Sequence, residues 1–89
     1  MKQIFLVEDD EKIARNLALL LRTEEFTVIH ASTQKEAFAM CAKNQFDLAL
    51  VDISLPDGNG FAVCTQIKET QDIPVLFLTA SGDEASVVT

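Results

Sequence analysis

The stretch DLALVDISLPDGNG, residues 47–60, joins the pattern of a buried strand to that of a sharp turn. Leu48 to Val51 are apolar without polar alternation, which is typical of a strand covered on both faces. The run ends on a carboxylate, Asp52, and one Pro and two Gly follow within eight residues. Asp52 is therefore either an ordinary turn or cap residue, or a charge presented at the rim of a sheet.

The rest of the chain alternates apolar runs with segments of helical periodicity. Asp10 and Thr33 have the side chains of helix N-caps, and Thr33 with Glu36 has the spacing of a capping box. A third helix is predicted from Asn59 and Gly60, and a last one after Asp83. The predicted strands are Ile4–Val7, Phe26–Ile29, Leu48–Val51 and Val75–Leu78. The predicted inward helix residues are Ile13, Leu17, Leu20 and Leu21, then Ala37, Met40 and Cys41, then Phe61, Cys64 and Ile67.

This βαβαβαβα order predicts an α/β fold with a doubly wound parallel sheet, in which right-handed crossovers place helices on both faces. We expect the strand order 2-1-3-4. In such sheets ligands bind beyond the carboxyl ends of the strands, where the strand order reverses.

Composition limits both the size of the fold and its partners. A chain of 89 residues allows one domain, and its net charge of −7 disfavours binding of nucleic acid by this segment. We find no signal peptide and no apolar run long enough to span a membrane, so we expect a cytoplasmic protein without membrane contact. Cys41 and Cys64 are expected to be reduced core thiols.

Acidic residues follow two strands that the predicted order makes neighbours. Glu8 and Asp9 end the first strand and Asp52 ends the third, while Thr79 and Ser81 follow the fourth. Three carboxylates this close would repel one another unless one is protonated or a cation lies between them. Oxygen ligands without His or Cys suit Mg²⁺, with Mn²⁺ or Ca²⁺ as substitutes, and a carboxylate beside a metal can accept a phosphoryl group.

Simpler interpretations stay open for each residue taken alone. Acids after Val7 are commonly a solvated first helical turn, and Thr79 alone is an ordinary strand-end Thr. A calcium loop of the EF-hand type counted from Asp57 fails, because its twelfth position is Lys68 and not Glu. A phosphatase loop with a second acid two residues after the first is weakened by Ser54.

Three segments together resemble the receiver domains of two-component response regulators: IFLVEDDEKIARNL, DLALVDISLPDGNGF and PVLFLTA. The resemblance covers essentially all of residues 1–89 and is strongest to the subfamily with a C-terminal winged-helix DNA-binding domain. It implies a flavodoxin-like fold and a protein that is phosphorylated by a sensor histidine kinase or a small phosphodonor. It also implies control of transcription by an output domain, and not a dedicated enzyme.

The resemblance assigns roles residue by residue. Asp52 would be the phosphoacceptor, Thr79 the switch hydroxyl, and Ala80 a backbone amide that faces the phosphate. Mg²⁺ would be held by Asp9 and Asp52, by Glu8 through water, and by the backbone carbonyl of Ser54.

Against the family pattern, residues 1–89 are expected to be a receiver that is incomplete at its C-terminus, without the fifth strand and its helix. The fourth strand would then be an exposed apolar edge, able to pair with another chain in a dimer. Two rival functions remain: a pseudo-receiver that binds partners without being phosphorylated, and a Mg²⁺-dependent phosphohydrolase.

Overall fold

The computed structural model describes residues 2–78 and 85–88, with side chains for residues 2–78. Three helices and seven strands are formed in these ranges, and none of these helices is long and apolar enough to cross a bilayer. In chain order they are β1 Gln3–Val7, α1 Glu11–Thr23, β2 Thr27–Ala31, α2 Gln34–Lys43, β3 Leu48–Asp52, β4 Ser54–Leu55, β5 Gly58–Asn59, α3 Gly60–Thr70, β6 Val75–Leu78 and β7 Ala85–Val88.

The main sheet has the strand order β2-β1-β3-β6-β7, and its first four strands are parallel. The predicted order 2-1-3-4 is confirmed, because the predicted fourth strand is β6. The two short strands β4 and β5 form a separate antiparallel hairpin directly after β3. Val7 of β1 is paired in register with Val51 of β3, so the carboxyl ends of these two strands lie side by side.

The end of the chain differs from the prediction. The helix expected after Asp83 is wrong for residues 85–88, which form β7 antiparallel to β6, while Asp83 itself lies outside the described residues. Val87 and Val88 are β-branched residues, which favour strands. Pairing of β7 with β6 gives the backbone groups of both strands hydrogen-bond partners. The sheet thus has a fifth strand that was not predicted. The edge of β6 is covered over Val75–Leu78, which removes the argument for a dimer through that edge.

Two apolar layers cover the sheet. The larger lies between the sheet and helices α2 and α3, and it includes the fully buried side chains of Phe5, Val51 and Ile67. The smaller lies under α1 and centres on Leu6, Ala14, Ala18 and Val28. Covering both faces explains why β3 and β6 have no polar alternation.

The helix starts are those predicted, and some inward faces are not. Asp10, Thr33 and Asn59 each accept backbone N–H groups as N-caps. The capping box is incomplete, because the Glu36 carboxylate accepts from the N–H and hydroxyl of Ser32 instead of from Thr33.

Small residues determine which face of α1 meets the sheet. Ala14 and Ala18 are buried there, whereas Ile13 and Leu20, predicted to face inward, are 42% and 60% exposed. Phe61 of α3 is likewise exposed, although its ring packs 5.0 Å from that of Phe77. Cys41 and Cys64 are buried free thiols, as predicted.

Candidate metal centre

Three carboxylates meet at the carboxyl ends of β1 and β3. Glu8 and Asp9 follow β1, Asp52 is the last residue of β3, and one oxygen from each lies within 4.8 Å of the others. Glu8 and Asp52 are only 4% and 7% exposed, whereas Asp9 is exposed to solvent. The parallel pairing of β1 with β3 therefore creates an acidic cluster that is buried on one side and open on the other.

Backbone contacts fix Glu8 on both sides. Its N–H donates to the carbonyl of Ala31 at 3.0 Å, and its carboxylate accepts the N–H of Asp10 at 3.1 Å. Because Asp10 also caps α1, the turn from β1 into that helix holds the Glu8 side chain in place.

His30 of β2 takes part in this support. Its Nε2 lies 2.8 Å from the carbonyl oxygen of Glu8. A carbonyl oxygen only accepts, so Nε2 must carry the proton that it donates. No sequence pattern could have indicated this contact, because it depends on the register that pairs β1 with β2.

Burial and mutual repulsion decide the protonation of the cluster. Burial, reinforced by the charges of Asp52 and Asp9, raises the pKa of Glu8 to about 7 even though the Asp10 N–H lowers it. Burial also raises the pKa of Asp52 above its ordinary value. At neutral pH the metal-free cluster therefore retains a proton on Glu8 in part of the molecules, and a cation would replace that proton.

The donor set fits a hard divalent cation. All three side chains offer carboxylate oxygens, and the cluster contains neither His nor Cys. Mg²⁺ is commonly bound by one or two carboxylates together with waters, a requirement that an open acidic cluster meets. The residues present are thus compatible with the metal predicted from the sequence.

A short loop carries the chain from Asp52 to α3. The N–H of Ser54 points back to a carboxylate oxygen of Asp52 at 3.4 Å, and Ser54 then pairs with Asn59 in the β4–β5 hairpin. The N–H of Gly60 donates to the carbonyl of Ile53 at 2.8 Å, which closes the loop under the cluster.

We predict that Gly60→Ala destabilises the fold by about 3 kcal/mol, because it overpacks a buried site. A Cβ on Gly60 would collide with the carbonyl oxygen of Asp52 and lie 2.9 Å from Cγ1 of Val51. Gly58→Ala is the comparison variant: its Cβ would meet only the end of the Gln34 side chain, which can rotate away at the loss of its hydrogen bond from the N–H of Asn59, so the expected cost is about 1 kcal/mol. Urea denaturation of both variants measures the difference, and equal costs would contradict this account of Gly60.

Three further predicted site residues follow β3 and β6 in the chain. Thr79 and Ala80 lie outside the described residues, beyond Leu78, which is paired in register with Asp52. Ser54 lies beside the cluster, where its N–H points to the carboxylate of Asp52. The assigned roles of all three therefore stay predictions.

Comparison with known proteins places this geometry in a family. The family model described as "Response regulator receiver domain" matches residues 4–89. The chain belongs to the response regulator receiver family. This assignment agrees with the sheet order and with the acidic cluster at the carboxyl ends of the strands.

Relatives support the same assignment. The transcriptional regulatory protein SrrA of Staphylococcus aureus is 34% identical over 86 residues, which cover 97% of this chain and 36% of SrrA. The chain thus spans about a third of the length of that relative.

Solved structures show the receiver fold. The non-phosphorylated HemR receiver domain of Leptospira biflexa has a TM-score of 0.84 and 40% identity, covering 94% of this chain and 68% of that one. A response regulator of Burkholderia pseudomallei, described with a phosphorylated aspartic acid, calcium ion and citrate, has a TM-score of 0.84 and 26% identity. That match covers 89% of this chain and 47% of the Burkholderia chain.

Proposed function

We propose that the chain is a phosphorylation-dependent signalling receiver in which Asp52 accepts a phosphoryl group in the presence of Mg²⁺. The donor is the phosphohistidine of a sensor histidine kinase or a small molecule such as acetyl phosphate. The observation that supports this most is the position of Asp52: its buried carboxylate ends β3 within 4.8 Å of Glu8 and Asp9.

The metal would be held by Asp9 and Asp52, by Glu8 through water, and by the carbonyl of Ser54. When bound, Mg²⁺ supplies positive charge that offsets the negative charge of the transferring phosphoryl group. Mn²⁺ or Ca²⁺ could substitute, because both accept the same oxygen ligands.

The reaction is a transfer of the phosphoryl group to a carboxylate. An ionised oxygen of Asp52 forms a bond to phosphorus, and the bond from phosphorus to the donor nitrogen or oxygen breaks with its electron pair going to the donor. The product is an acyl phosphate with about one more negative charge than the carboxylate. Thr79 and the Ala80 amide are proposed to donate hydrogen bonds to the new phosphoryl oxygens, and movement of Thr79 would carry the signal outward.

The output of the signal is also part of the proposal. SrrA is described as a transcriptional regulatory protein, and this chain covers 36% of it. We propose that a DNA-binding output domain outside residues 1–89 acts on transcription in the cytoplasm. Residues 1–89 themselves, with a net charge of −7, are proposed to bind no nucleic acid.

Two features favour this function over a phosphohydrolase and a pseudo-receiver. Ser54 occupies the position where a phosphatase loop would need its second acid, and Glu8, Asp9 and Asp52 are all present as carboxylates. The phosphorylated aspartic acid reported in the Burkholderia relative gives chemical precedent on the same fold.

Counting phosphoryl groups separates the three functions. With excess acetyl phosphate and Mg²⁺, we expect the protein to gain one phosphoryl group, measured as intact mass, with little release of inorganic phosphate. Many phosphates released per chain, with no retained group, would favour a phosphohydrolase. Neither gain nor release would favour a pseudo-receiver and contradict the proposal.

A further inference from the structure

Asp57, in the loop between β4 and β5, joins this loop to the start of α2. Its carboxylate accepts the N–H groups of Gln34 and Lys35, the first residues of α2, at 2.7 and 3.0 Å. These bonds place a negative charge at the positive end of the helix, where charge-assisted hydrogen bonds are strong. They also lower the pKa of the Asp57 carboxyl group, so it remains ionised.

A second bond joins the same two elements. The side-chain carbonyl oxygen of Gln34 accepts the N–H of Asn59 at 3.0 Å. Helix α2 has its own local cap, because Thr33 accepts the N–H of Glu36. The contacts of Asp57 and Gln34 therefore do more than cap α2: they fasten the β4–β5 hairpin to the start of that helix.

The β4–β5 hairpin, which these bonds fasten to α2, begins two residues after Asp52 of the acidic cluster. Asn59 is paired in register with Ser54, and its side chain also caps α3 by accepting the N–H of Ala62. Asn59 thus links three elements: the start of α2, the start of α3, and the strand that carries Ser54 beside Asp52.

Apart from its bonds to α2, the hairpin is held by the bond from the N–H of Gly60 to the carbonyl of Ile53 and by the buried side chain of Leu55. Its strands have two residues each, and a hairpin of that size is not stable alone. Leu55 is its single buried residue, while Ser54, Gly58 and Asn59 are exposed. Polar bonds to α2 are therefore expected to contribute to how firmly the Ser54 backbone is held.

We infer that Asp57 is a positioning residue for the metal site: by binding the N-terminus of α2, it holds the hairpin so that the Ser54 backbone stays beside Asp52. This inference rests on the proposed function, because it assigns Asp57 an indirect role in binding the metal.

The test compares two exposed aspartates that each accept backbone N–H groups. Asp57→Ala breaks the contact with α2. Asp47→Ala removes the same charge and a bond from the N–H of Gln3 at 2.7 Å, but at the opposite ends of the strands. Asp57→Asn, which retains one acceptor oxygen, is the conservative variant.

Two measurements are needed on each protein: the affinity for Mg²⁺ by calorimetry, and amide hydrogen exchange at Gln34, Lys35 and Asn59. We expect Asp57→Ala to weaken Mg²⁺ binding roughly tenfold. Removing a residue that supports a metal ligand typically lowers the metal affinity by about ten- to a hundredfold, and this expectation is at the lower end of that range. Exchange at the three amides should quicken, and Asp57→Asn should fall between Asp57→Ala and wild type. Asp47→Ala should change the affinity by less than about twofold, since its charge is distant and screened.

The outcomes distinguish this inference from the proposed function. If the unaltered protein binds Mg²⁺ and Asp57→Ala binds it equally well, the positioning role is wrong and the proposed function stands. If Asp47→Ala weakens binding as much as Asp57→Ala, the effect is one of net charge and the positioning role is also wrong. If the unaltered protein binds no Mg²⁺, both proposals fail.

Discussion

Asp52→Asn should abolish phosphorylation of the chain by acetyl phosphate and Mg²⁺. The amide is nearly the same size as the carboxylate, so the packing of the buried side chain beside Glu8 is expected to persist. The Asn side chain lacks the anionic oxygen that attacks phosphorus, and its neutral amide oxygen does not replace that nucleophile. Intact mass should show no added phosphoryl group under conditions that phosphorylate the unaltered protein fully.

Asp47→Asn is the matched control for this experiment. Asp47 is an exposed acid at the far ends of the strands, and its replacement changes the net charge by the same amount. It should be phosphorylated like the unaltered protein. Phosphorylation that survives in Asp52→Asn would show that another residue accepts the group and would contradict the assignment of Asp52.

Glu8→Gln should change how stability depends on pH in the absence of metal. Burial beside Asp52 raises the pKa of Glu8 from 4.5 to about 7, so the folded protein keeps a proton that the unfolded chain releases. This stabilising contribution is complete below about pH 4.5 and is lost as the pH rises through about 7. In EDTA, the stability of the unaltered protein should thus fall across this window relative to that of Glu8→Gln, by about 3 kcal/mol in total.

Urea denaturation at several pH values, with EDTA throughout, measures this difference. Glu69→Gln, which alters an exposed acid of α3, should follow the pH profile of the unaltered protein. Added Mg²⁺ should stabilise the unaltered protein at pH 8 and stabilise Glu8→Gln less, because binding to the folded state alone shifts the unfolding equilibrium. Parallel pH profiles for Glu8→Gln and the unaltered protein would contradict the raised pKa of Glu8.

Local signals made much of the fold predictable. Asp10, Thr33 and Asn59 start their helices as caps because the capping bond joins residues only two or three positions apart. The predicted strand order, in turn, was sufficient to predict that the carboxyl ends of β1 and β3 lie side by side. The family resemblance then supplied the roles of residues that lie outside the described ranges.

Contacts between distant segments could not be predicted in the same way. The bonds from His30 to Glu8 and from α2 to Asp57 depend on strand register and on the path of a loop. Strand β7 was missed because Asp83 and Glu84 look like the first turn of a helix, whereas the free edge of β6 offers backbone partners to a nearby strand.

Mapping the phosphoryl group tests the central claim most directly. The unaltered protein is treated with acetyl phosphate with and without Mg²⁺, and the modified residue is located by mass spectrometry after borohydride reduction of the acyl phosphate. We predict a single modified residue, Asp52, and only when Mg²⁺ is present. Modification at another residue, or equal modification of Asp52 without a divalent metal, would contradict the account of the cluster as a metal-assisted phosphoacceptor site.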